Sequence, residues 1–147
     1  MGRNKYFRSN SGRLTMSQQH HRMTMLHPQF HLRSLRSNIV QWQGEIQPMP
    51  LADTYLVQVT YQQHKAPRIS ILAPRLQLPP GEKRIPHTFK GDYLCLYYAD
   101  YGEWTARMYV ADMIVPWISL WLAYYETWLA IGKWLGGGIE HSLTEQK

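Results

Sequence analysis

The chain has 147 residues, enough for one domain with a sizeable core and too few for two. Its net charge of +6 comes almost wholly from one end, because Arg3, Lys5, Arg8, Arg13, Arg22, Arg33 and Arg36 all precede the first acidic residue, Glu45. A single cysteine excludes an internal disulfide and a thiolate metal centre, and the polar, basic start does not read as a secretory signal, so a reducing, cytoplasmic setting is expected.

Residues 1–18 are rich in Asn, Ser, Gly and Arg without periodicity and read as a flexible basic arm. Such an arm attracts phosphates or acidic surfaces unspecifically, but few aromatic side chains interleave its arginines, so no specific nucleic-acid binding is expected. Over residues 23–35 the apolar positions Met23, Leu26, Phe30 and Leu35 suggest one helix face, with Pro28 near a start or a break. Residues 39–46 then alternate apolar and polar, and the Pro48 and Pro50 pair ends them. Residues 54–61 carry Tyr55, Val57, Val59 and Tyr61 with a strict period of two, the pattern of a half-buried antiparallel strand. Residues 68–72 form a third strand that stops at Pro74, so three strands with short connections predict an antiparallel meander.

Residues 75–90 contain Pro79, Pro80, Gly81 and Pro86 and cannot continue a ladder, so they predict an irregular flap leading to the cysteine. After Trp104, residues 106–115 predict a first helix or turn. Pro116 then fits the opening of a second helix over 117–131, with Gly132 and the run Gly136, Gly137, Gly138 as stop signals. The residues after 141 read as a polar tail. The fold class expected is therefore α+β, with the domain spanning residues 19–141.

The chemistry concentrates between Pro86 and Trp104. Cys95 lies in the apolar run Tyr93, Leu94, Cys95, Leu96, Tyr97, and on composition it reads either as a buried inert thiol or as a nucleophile or acyl carrier. His87 is the nearest histidine upstream of it. His27 and His31 are spaced to share a helix face, but no carboxylate or thiolate completes a metal set, and neither a metal nor another cofactor is expected. Between Asp112 and Glu126 lie thirteen uncharged residues, fewer than the roughly 18 to 20 that a membrane span needs. Trp117, Trp121, Tyr125 and Trp128 form one helical stripe with no facing row of cations, so packing against the sheet is expected rather than a membrane interface. No Gly-rich loop of the kind that activates a carboxylate with ATP occurs.

Helix, meander, proline-rich flap, His, Cys, Trp and C-terminal helices follow one another in an order that resembles ubiquitin-conjugating enzymes. His87 stands where that family has the His of its His-Pro-Asn motif, residues 91–96 (GDYLCL) where it has the cysteine element, and Trp104 where it has its tryptophan. The resemblance is closer to the bacterial members from type II CBASS antiphage operons. It rests on Trp42-x-Gly44, Pro74-x-Leu76, Pro86-His87, Leu94-Cys95-Leu96, Glu103-Trp104 and the helix that opens at Ile114-Val115-Pro116-Trp117. The resemblance implies a ubiquitin-conjugating-like transferase. Its Cys95 would carry the C-terminal glycyl group of a CD-NTase, a nucleotidyltransferase making cyclic oligonucleotides, as a thioester, with a separate activating enzyme as a further partner. It implies His87 beside Cys95 as a catalytic residue, and Asp92, Tyr93 and Trp104 as residues lining the substrate site. A non-catalytic module that binds the nucleotidyltransferase through the same fold is the other function it implies. Thr88 and Phe89 replace the Pro and Asn of the eukaryotic motif, so the side chain that supports the oxyanion during transfer to lysine is missing.

Overall fold

The computed structural model describes residues 12–97 and 103–136. Its elements run α1 (Met16–Leu26), β1 (His31–Arg36), β2 (Ile39–Ile46), β3 (Tyr55–Gln62), β4 (Arg68–Ala73), the two-residue strands β5 (Thr88–Phe89) and β6 (Tyr93–Leu94), and α2 (Val110–Ile131). The fold is α+β, with β1 to β4 in sequence order as one antiparallel sheet and β5 and β6 as a small ribbon.

The alternation read in the sequence is the alternation of burial. β2 buries Val40, Trp42, Gly44 and Ile46 and β3 buries Tyr55, Val57, Val59 and Tyr61, each every second residue, so one face of the sheet is apolar throughout. Val40 pairs with Tyr61, Trp42 with Val59 and Ile46 with Tyr55, which puts large apolar side chains directly opposite one another on that face. Both helices cover it. Met16 and Met23 of α1, the sheet residues, and Val110, Ile114, Ile118, Leu122 and Tyr125 of α2 form one continuous core.

The structure differs from the expectations at the first helix, the sheet edge and Pro116. The first helix runs over Met16–Leu26 rather than residues 23–35, and His31–Arg36 is a strand, so the meander has four strands and not three. Thr15 starts the helix with a reciprocal cap: its hydroxyl accepts from the Gln18 amide at 3.1 Å and the Gln18 side chain accepts from the Thr15 amide at 2.8 Å. The last residues read as an arm therefore belong to the folded part, and Leu14 donates to the Ala106 carbonyl at 3.0 Å. Phe30, expected on the helix, instead lies on Gly44, where an added Cβ would stand 2.6 Å from its ring. Because His27 caps α1 and His31 opens β1, the two histidines share no helix face, and His27 instead hydrogen-bonds the Ala111 carbonyl through Nε2 at 2.8 Å.

Pro116 does not divide two helices but sits inside one. Proline within a helix is unfavourable by about 3 kcal/mol, while burying a Val or Ile side chain contributes roughly 1.5–3 kcal/mol. Ile114, Val115 and Ile118, all at most 4 % exposed, flank the exposed proline on both sides and hold the helix through it. Gly132 ends α2 in the left-handed conformation at φ 72°, and its amide bonds the Trp128 carbonyl. Of the triple glycine, only Gly136 falls among the described residues.

Candidate functional site

The flap reaches the cysteine along the core. Ile85, Pro86, His87 and Thr88 are buried, and the Thr88 hydroxyl donates to the Ile85 carbonyl at 2.8 Å, closing a turn that directs the chain into β5. The Gln77 amide donates to the Tyr125 hydroxyl at 2.7 Å, which ties the start of the flap to α2.

His87 has a positive φ of 51°, a conformation uncommon for a residue with a side chain. Its carbonyl accepts two bonds, from the Cys95 amide at 2.9 Å and from the Trp121 indole at 3.0 Å. One backbone oxygen thus joins the flap, the cysteine loop and α2. The His87 ring packs on Trp134 with 5.0 Å between centroids, and Trp134 in turn meets Trp121 and Tyr124.

Beside this junction lies a cavity of about 290 Å³ that Cys95 and His87 both line. Its far wall is one face of α2, where Trp117, Leu120, Trp121 and Tyr124 follow the three-and-four spacing of a helix, and Trp134 and Gly136 close it. Gly136 packs flat against the Tyr124 ring, where a Cβ would not fit. Leu120 is 51 % exposed, so an apolar rim faces outward.

Cys95 itself is 7 % exposed, and its thiol donates weakly to the Tyr97 carbonyl at 3.8 Å. Burial pushes the thiol up from its ordinary value. A backbone hydrogen bond from Tyr97 counts against that shift, and the nearby Glu103 carboxylate adds to it. The cysteine is not an acidified thiolate of the kind a hydrolase activates. Exchange of an acyl group between two thiols needs little driving force, and holding the groups in place supplies much of its rate.

Of the residues singled out in the sequence, Cys95 and His87 are brought together and three others are not. Asp92 is exposed on the turn between β5 and β6 at φ 60°. Tyr93 lies beneath the Arg68 guanidinium at 4.5 Å from its ring centroid. Trp104 packs edge-on against Tyr61 at 5.7 Å and lines a different cavity. The aromatic wall was missed as a wall. The stripe Trp117, Trp121, Tyr125 and Trp128, expected to pack on the sheet, divides between two jobs: Trp121, Tyr125 and Trp128 are buried, while Trp117 is only partly buried and faces the cavity with Tyr124, which lies outside the stripe.

Among the described residues no three His, Cys, Asp or Glu side chains converge as a metal site, and no helix is long and apolar enough to cross a membrane. Set against known families, residues 19–142 match the one described as "Type II CBASS E2 protein". Among curated proteins nothing matches.

Proposed function

Because the chain belongs to the type II CBASS E2 family, and so to an antiviral defence system, we propose that Cys95 carries the C-terminal glycyl group of a CD-NTase as a thioester. The observation that carries this reading is the position of Cys95 in the wall of an apolar cavity, on a loop held by the His87 carbonyl. The glycyl group arrives as a thioester on an activating enzyme. The Cys95 sulfur attacks its carbonyl carbon, a new carbon–sulfur bond forms, and the bond to the donor cysteine breaks. The proton of the Cys95 thiol passes to the departing thiolate, so the exchange balances without an oxidant or a metal. An amine then takes the acyl group and restores the thiol.

His87 acts in this scheme as a positioning residue, through a backbone carbonyl fixed by two donors. Trp117, Leu120, Tyr124 and Trp134 exclude water from the thioester and seat the apolar part of the donor tail. The purified protein mixed with the CD-NTase and an activating enzyme is expected to give a higher-mass species that dissolves in excess thiol and is absent for Cys95→Ala.

The 7 % exposure of Cys95 favours one other reading, a non-catalytic module that binds the nucleotidyltransferase. A complex that forms equally with Cys95→Ala, with no thiol-sensitive species in the native protein, would select it.

A further inference from the structure

Tyr97 also lines a second, larger cavity of about 610 Å³, formed where three separate segments meet. The segment before α1 and the segment before α2 are pinned together by the bond from the Leu14 amide to the Ala106 carbonyl, and Gly12, at φ 72°, leaves room for the Arg107 side chain, whose Nε would stand 3.2 Å from an added Cβ. The third segment is the turn between β3 and β4, where His64 has φ 66° and meets Arg13 Nη1 through Nδ1 at 2.9 Å. A guanidinium can only donate, so the imidazole nitrogen is the acceptor.

Arg13, Lys65 and Arg107 therefore line one concavity, and among the described residues no Asp or Glu lines it. None of the three is paired with a carboxylate among the described residues. Like charges gathered in a concave site repel one another and raise the local concentration of anions. The neutral acceptor that orders Arg13 leaves its charge uncompensated. The guanidinium fork matches phosphate oxygens in pairs, and Lys65 adds a further charge. Trp104, half-buried and held edge-on by Tyr61, gives the same cavity an aromatic wall. The volume falls in the range of roughly 300–1,000 Å³ usual for small-molecule sites.

We infer that this cavity binds a phosphate ester that carries a flat ring, the nucleotide class, with Arg13 and Arg107 on the phosphate and Trp104 beside the ring. No Gly-rich phosphate loop is present, so the site binds the ligand and performs no phosphoryl transfer. The inference stands apart from the thioester chemistry, since Cys95 does not line this cavity.

Calorimetric titration of the full chain with adenosine monophosphate, with a short single-stranded oligonucleotide and with a glutamate-rich peptide tests it. Saturable binding of the monophosphate is expected, with affinity falling as salt rises and falling roughly tenfold or more for each of Arg13→Gln and Arg107→Gln. Lys65→Glu, at an exposed position on the turn, reads the same loss without disturbing the joint between the three segments. Cys95→Ala is expected to bind as the native chain does. Binding of the oligonucleotide in place of the free monophosphate, with the same loss in the variants, would identify a strand as the source of the phosphate. Failure of both to saturate, equal affinity in native and variant chains, or binding of the acidic peptide alone would overturn the inference.

Discussion

Gln19 decides whether α2 starts where the cavity needs it. The side chain is fully buried, donates through Nε2 to the Met108 carbonyl at 2.8 Å, and accepts from the Val110 amide through Oε1 at 2.9 Å. Tyr109 occupies the N-cap position without capping by its own side chain, so α1 supplies the cap for α2. Gln19→Leu keeps most of the volume and removes both bonds. The Val110 amide, on a residue with no exposure, then lacks its partner, and a buried unsatisfied group costs about 1–3 kcal/mol. The Met108 carbonyl is only partly buried, so its loss adds roughly 0.5–1.5 kcal/mol. A total of about 1.5–4.5 kcal/mol follows, a large share of a stability that is typically about 5–15 kcal/mol. Gln19→Ala adds the penalty of a cavity and is expected to be worse than leucine. Urea denaturation reads both as a lower midpoint with an unchanged slope, and amide exchange at Val110 is expected to accelerate. A leucine variant within about 0.5 kcal/mol of the native chain would refute the reasoning, since that is the scatter of inert surface changes.

Gly44→Ala is expected to lower stability by about 1–3 kcal/mol in the same assay, because its Cβ would stand 2.6 Å from the Phe30 ring and the ring is packed too closely to retreat. Alkylation of Cys95 by iodoacetamide is expected to be slower at neutral pH than that of an unfolded cysteine, with its rise displaced to higher pH. Glu103→Gln, which removes a charge that raises the thiol, is expected to move that rise back toward lower pH. Alkaline pH is expected to destabilise the fold, as denaturation midpoints measured at successive pH values will show. Burial pushes the Tyr97 phenol from its ordinary 10.0 to about 12, so the fold favours the protonated form. That contribution is intact below the ordinary value and is lost as pH rises through the raised one. A midpoint that stays constant across that window would contradict it.

The strands were legible because a period of two is a local property: residues 39–46 and 54–61 alternate, and the two strands fall within a residue of those bounds. The glycine stop at 132 was legible for a similar reason, since a left-handed terminus needs no distant partner. The first helix was misplaced although its signal was present, in Thr15 and Gln18 at the spacing of a capping box. The apolar positions that outweighed it, Phe30 and Leu35, belong to a turn against Gly44 and to an edge strand. Pro116 misled because a residue's local preference against a helix says nothing of the buried side chains on either side of it.

Local order along the chain was enough to place three of the four strands of the main sheet and the flap that leads from His87 to Cys95, and to identify the family that residues 19–142 match. Packing alone decided the rest. A carbonyl bonded by an indole 34 positions away, a helix capped from another helix, and three cations drawn from three segments into one cavity all depend on which faces the buried core brings together. Periodicity and caps are set by neighbours a few residues apart, whereas those contacts exist only once burial of the apolar face has fixed the distance between remote parts of the chain.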